Sequence, residues 1–158
     1  MTKDRESSKS GTEQQLPLDA AASHLLEECR MVLPGIQALF GFQLIAVLSD
    51  GFSQKLSPGE QRFHLLAIAL VALSIALVMT PAALHRQREP RSVSQRFIDV
   101  SSHLLLWSMV PLGVGICADV YLVAHVILSS TAWAGSLAGG LLVIILGLWF
   151  GLPRRRRL

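Results

Sequence analysis

Three polar side chains set among apolar neighbours are the ones most able to do chemistry: Gln37, Gln43 and Asp119. Both glutamines lie deep in a stretch without a single charge, and Asp119 directly follows another such stretch. A buried amide is costly in hydrocarbon unless something hydrogen-bonds it. Gln37 and Gln43 are therefore expected to face the interior of a helix bundle, bonding a neighbouring helix or lining a polar path. They sit about 240° apart around a helix at 100° per residue, so each needs a different neighbour. A carboxylate inside a membrane is a functional residue by default, since it can trade a proton for a cation. Asp119 has two readings. As the residue that ends the third apolar stretch, it is an interfacial group in water. Slid one or two turns inward, which apolar Val120–Val123 and Val126–Leu128 permit, it is a desolvated acid able to exchange protons.

Other chemistry finds little support. No Ser/His/Asp, Cys/His or paired-carboxylate arrangement is evident, so no enzyme activity and no cofactor are expected. The histidines (His24, His64, His85, His103, His125) show no ligand spacing, and His64, His85 and His125 fall where an interfacial imidazole is tolerated. Gly113-Val114-Gly115-Ile116-Cys117-Ala118 has the spacing of a dinucleotide fingerprint, but it lies inside an apolar stretch and not between a strand and a helix. Close helix packing and a kink, helped by Pro111, explain it better.

The elements that must hold these residues are four apolar runs: 31–49, 63–84, 100–118 and 132–152. None contains Lys, Arg, Asp or Glu, and each has the roughly 20 residues a helix needs to cross a bilayer core of about 30 Å. Only 16% of the chain is charged, against about 25% in soluble domains. The expected fold is all-α, an integral membrane four-helix bundle over 18–153. Residues 1–17 are polar and should be disordered. Residues 18–33 show helical spacing of Leu18, Ala22, Leu25, Leu26 and Cys29, which predicts a short amphipathic helix on the membrane surface. Pro34-Gly35 should break or kink it. Ser57-Pro58-Gly59-Glu60 has the form of a capping box opening the second helix, whose span should end near Pro81. A loop is expected from Asp119 to Thr131. Trp133 and Trp149 are placed like interfacial anchors of the fourth span.

Twelve of the 14 Lys and Arg residues fall on one side of this layout, among them Arg86, Arg88 and the terminal Arg154, Arg155, Arg156 and Arg157 of the basic tail 154–158. Only Lys55 and Arg62 fall on the other. The positive-inside rule puts both termini in the cytoplasm, with these arginines as topology anchors. The basic balance serves topology, not nucleic acid. Cys29 and Cys117 then face opposite sides and cannot pair. Small-residue faces, Ala72-xxx-Ala76-xxx-Thr80 on the second span, and Gly135-xxx-Gly139 and Ala132-xxx-Ser136-xxx-Gly140 on the fourth, suit close packing within one bundle or a seam between identical copies.

Several motifs carry a resemblance: Leu26-Glu27-Glu28 with Arg30 and Leu33-Pro34-Gly35, Gln37-Ala38-Leu39 and Gly41-Phe42-Gln43, Pro81-Ala82-Ala83 with His85-Arg86, and Trp149-Phe150-Gly151 with Pro153. Together they resemble a family of small bacterial four-helix membrane proteins without an assigned function, some of whose members carry the automatic label sodium:proton antiporter. The resemblance spans about 25–153. It implies a bacterial inner, or plasma, membrane and supplies no site residues. Exchange of a cation for a proton needs a carboxylate near the midplane, and none of the four runs holds one. The expected function is therefore that of a multi-pass membrane protein serving interaction or assembly, with the lipid bilayer as its surroundings and no protein partner specified. The alternative is a small cation/proton transporter using Gln37, Gln43 and Asp119.

Overall fold

A computed structural model of the chain describes residues 18–88 and 95–151. The expected tail 1–17, the basic segment 154–158 and its four arginines lie outside them. Of the described residues 94% are helical and none forms a strand. Four helices make the body: α1 (Leu18–Val47), α3 (Pro58–Arg88), α4 (Gln95–Leu128) and α5 (Thr131–Leu146), with a single turn, α2 (Phe52–Lys55), in the first connection. A wide π turn, Gly147–Gly151, prolongs α5. All four long helices are apolar enough to cross a membrane.

Local chemistry sets the ends. Ser57 and Glu60 form the capping box: the Ser57 backbone N–H donates to Glu60 Oε2 at 2.8 Å, and the Glu60 N–H donates to Ser57 Oγ at 3.4 Å. Pro58 occupies the first turn of α3, where its missing N–H is no loss. α4 ends at Leu128, and the next residue, Ser129, sits in the left-handed region at φ 51° with its N–H donating to the His125 carbonyl at 2.9 Å. Three expectations are corrected here. α1 is one continuous helix through Pro34, so 18–33 is no separate surface helix. α3 runs past a buried Pro81 to Arg88. Where a loop was expected after Asp119, α4 continues to Leu128, leaving only Ser129 and Ser130 outside helix.

The helices meet along seven-residue seams. α1 buries Ala22, Cys29, Ile36 and Gln43. α3 buries His64, Val71 and Val78 in one row and Ala67, Ser74 and Pro81 in the next. α4 buries Ser101, Ser108, Gly115 and Leu122, flanked by half-buried Leu105, Leu112 and Asp119. Such alternating steps of three and four are the pattern of helices crossing at about 20°. Small residues bring α3 and α4 close: a Cβ at Gly115 would lie 2.9 Å from Val71 Cγ2 and 3.3 Å from the Ala67 carbonyl oxygen. The Ser74 hydroxyl donates across this seam to the Ser108 carbonyl at 2.8 Å. Gly113, on the other face of α4, admits Ile145 and Trp149. Trp149 is thus half-buried against α4, while Trp133 is exposed.

α4 is central, touching α1, α3 and α5, and α5 packs mainly on α4. The glycine face of α5 is bare, with nothing within 4 Å of a Cβ built at Gly135, Gly139 or Gly140. Outward-facing apolar side chains cover the surface, including Ile45, Leu48, Trp107, Val123, Ile127 and Val143. Water would disfavour such a surface, and lipid does not.

Candidate functional site

Near the end of the bundle that carries the 48–57 and 129–130 connections, the three seams converge on polar side chains. Gln43 occupies the last position of the α1 seam, His64 the first of the α3 row through Val71, and Asp119 the last of the α4 row through Leu112. The Gln43 amide Nε2 donates to Asp119 Oδ2 at 2.6 Å. His64 Nδ1 lies 3.1 Å from Asp119 Oδ1, and His64 Nε2 lies 3.3 Å from the Gln43 carbonyl oxygen. Gln43 and His64 are buried, and the Asp119 side chain is 20% exposed. Three helices, far apart in sequence, are tied at one point.

The proton count of this cluster follows from its acceptors. A backbone carbonyl only accepts, so His64 Nε2 must carry hydrogen to bond it. Nδ1 then faces a carboxylate oxygen, and two lone pairs at that distance repel. A proton between Nδ1 and Oδ1 removes the conflict, whether it resides on the imidazole or on the carboxyl group. Bonding both partners at once takes a proton on each ring nitrogen or one on the carboxyl group; a neutral ring with its hydrogen on Nδ1 bonds Asp119 and only abuts the Gln43 carbonyl.

Two further features surround the cluster. A cavity of about 450 Å³ opens beside it between α1 and α4, beneath the 48–57 connection. Its walls include Phe42, Phe52, Leu56, Leu122 and Val126, with Gln43, His64 and Asp119 among its lining and Lys55 at the exposed rim. The Phe52 ring lies 5.4 Å from that of His64. Gln43 Oε1 is enclosed and has no hydrogen-bond partner. One turn nearer the helix ends, the acid and base change sides: Glu60 of α3 meets His125 of α4 at 3.3 Å. Tyr121 stacks on His125 at 5.9 Å and receives Phe63 edge-on at 5.7 Å.

Exposed apolar Ile45, Leu48, Val123 and Ile127 lie farther toward the helix ends than Gln43 or Asp119, and exposed Arg62 lies two residues before His64. α4 continues for nine helical residues past Asp119, roughly 13 Å at 1.5 Å per residue.

Of the sequence-nominated residues, the structure unites Gln43 and Asp119 and separates Gln37, which is exposed. Gln37 was expected to face the interior. It points outward because the α1 seam passes through Ile36 and Gln43, and Gln37 is off that row. Arg86 is exposed beyond the cluster's reach, and Arg88 closes α3. His64 was read as a tolerated interfacial histidine, and the Glu60–His125 pair was not foreseen. Both cysteines are free and buried.

No curated protein and no solved structure matches this chain. A family profile matches residues 12–153, nearly the whole length. The chain therefore belongs to DUF6328, a family of unknown function.

Proposed function

We propose that this chain is a small membrane transporter that exchanges a cation for a proton at the Gln43–His64–Asp119 cluster. The observation that carries the reading is the carboxylate of Asp119, only 20% exposed and held between His64 at 3.1 Å and the Gln43 amide at 2.6 Å on otherwise apolar helices. Ionisable groups in such positions mark ion and proton pathways. The continuation of α4 for nine residues past Asp119 supports placing this acid within the third span. Asp119 is the proton and cation acceptor, His64 the group sharing its proton, and Gln43 the residue that orients the carboxylate. The protein is a carrier and not an enzyme. It works in a bacterial plasma membrane, with both termini in the cytoplasm and the cluster toward the outer face, as the Lys and Arg distribution indicates.

One observation favours a second role in assembly. The bare glycine face of α5 is the kind of surface on which a second copy packs closely in lipid. A dimer would also supply more helices for alternating access than four alone.

Purified protein in liposomes loaded with a pH-sensitive dye tests the transport reading. An imposed sodium or potassium gradient, or one of an organic cation, should drive proton movement in the wild type and not in Asp119→Asn. Equal silence from wild type and variant with every cation tried overturns it.

A further inference from the structure

We propose that the cavity beside the cluster binds a hydrophobic ammonium ion, a protonated amine with an apolar body, and that binding releases a proton shared by His64 and Asp119. This rests on the exchange reading above and names its substrate class. The cavity's 450 Å³ falls within the roughly 300–1,000 Å³ of small-molecule sites and far exceeds a bare metal ion. Its walls are mainly aliphatic and aromatic, which favours an apolar body. The Asp119 carboxylate is 20% exposed beside the cavity, and each of its oxygens can accept a further bond. An ammonium N–H supplies the donor. Phe42 and Phe52 add aromatic surface to the lining, the side-chain type that attracts cations.

Hard metal cations fit poorly. Divalent ones take six or more oxygen ligands. Here one carboxylate is offered, and the Gln43 carbonyl already meets His64. An anion would face Asp119 in an apolar setting. The charged and titratable groups around the cavity are few. Among the described residues, α1 presents the uncharged Gln43, α2 presents Lys55 at the rim, α3 presents His64 and α4 presents Asp119. Glu60 and His125, a turn away, face each other at 3.3 Å.

The exchange conserves charge. An ammonium on Asp119 and a proton shared with His64 would put two positive charges on one carboxylate. As the ammonium arrives, the proton passes to water and His64 is left neutral. One cation enters, one proton leaves, and only hydrogen bonds change.

Calorimetry on the full chain in lipid nanodiscs tests this, run in two buffers of different ionisation enthalpy so that released protons are counted. The probes are phenethylammonium, its neutral analogue 2-phenylethanol, and sodium chloride. Phenethylammonium should bind saturably with release of about one proton, and 2-phenylethanol and the Asp119→Asn variant should each weaken binding by about tenfold or more. His64→Gln should keep the ammonium bound but release no proton, a split that loss of structure would not produce. If Asp119→Asn does not fold, the ammonium–alcohol comparison and His64→Gln still decide. Equal binding of ammonium and alcohol, or binding without proton release by the wild type, overturns the proposal. Sodium-linked proton release without phenethylammonium binding overturns it and leaves the exchange reading standing. No proton release with any cation overturns both.

Discussion

Gln43 lies one heptad after Ile36 on the buried row of α1, and Gln37 lies beside that row, facing out. Their substitutions should therefore differ. Gln43→Leu removes a donor to Asp119 across a helix interface and should destabilise by roughly 0.6 kcal/mol, up to about 1.7. Gln37→Leu should stay within about 0.5 kcal/mol of wild type. Unfolding in mixed detergent micelles measures both, and equal losses would contradict the assignment. Composition alone marked Gln43 and Asp119 as residues out of place in apolar runs. It could not mark His64, because the cluster joins helices with no fixed sequence spacing. A legible signal did exist. Each of the three residues extends a row of seven-residue steps, and each lies within a few turns of the same end of the bundle. Tracing the rows first would have separated Gln37 from Gln43 and brought His64 to Asp119.

At the scale of helices, α4 is gripped on two faces through Gly113 and Gly115, so the glycine pair serves packing, as its place in an apolar run suggested. Gly115→Ala forces a methyl group to within 2.9 Å of Val71 and 3.3 Å of backbone and should cost about 1–3 kcal/mol. Gly139→Ala meets open space within one chain and should be neutral or stabilise the monomer by up to about 1 kcal/mol, whereas it should weaken any dimer packed on that face. Thermal unfolding of the two variants gives opposite signs if the α3–α4 seam is as described, and equal signs would contradict it. The faces of α3 were harder to read. Ala72, Ala76 and Thr80 form a stripe of small residues, yet Ala76 is exposed and the close approach runs through Ala67, Val71, Ser74 and Val78. A helix rich in alanine offers several smooth stripes. Which one packs is decided by the partner, here by Gly115 and Ser108. The extent of α4 was hidden for a related reason: a lone aspartate resembles the end of a span unless its partners are known.

For the whole molecule, the four spans and their order were plain from hydropathy, since lipid tolerates neither charges nor unpaired backbone. Orientation makes a separate prediction. In a background with Cys29 and Cys117 replaced by alanine, an impermeant thiol reagent on intact cells should label a cysteine at Ser57 and not one at Ser92. The reverse pattern would invert the topology. Near one end of the bundle α1 reaches both α3 and α4 through Gln43, in contact with His64 and Asp119. The most direct measurement of that tie is the nitrogen-15 magnetic resonance spectrum of His64 in the intact chain in lipid bilayers, compared between the wild type and Asp119→Asn. The account predicts a hydrogen bond at Nδ1 in the wild type that is weakened in the variant, with the cross-helix contacts to Gln43 weakening together. An Nδ1 signal and contacts to Gln43 that are the same in both would contradict it.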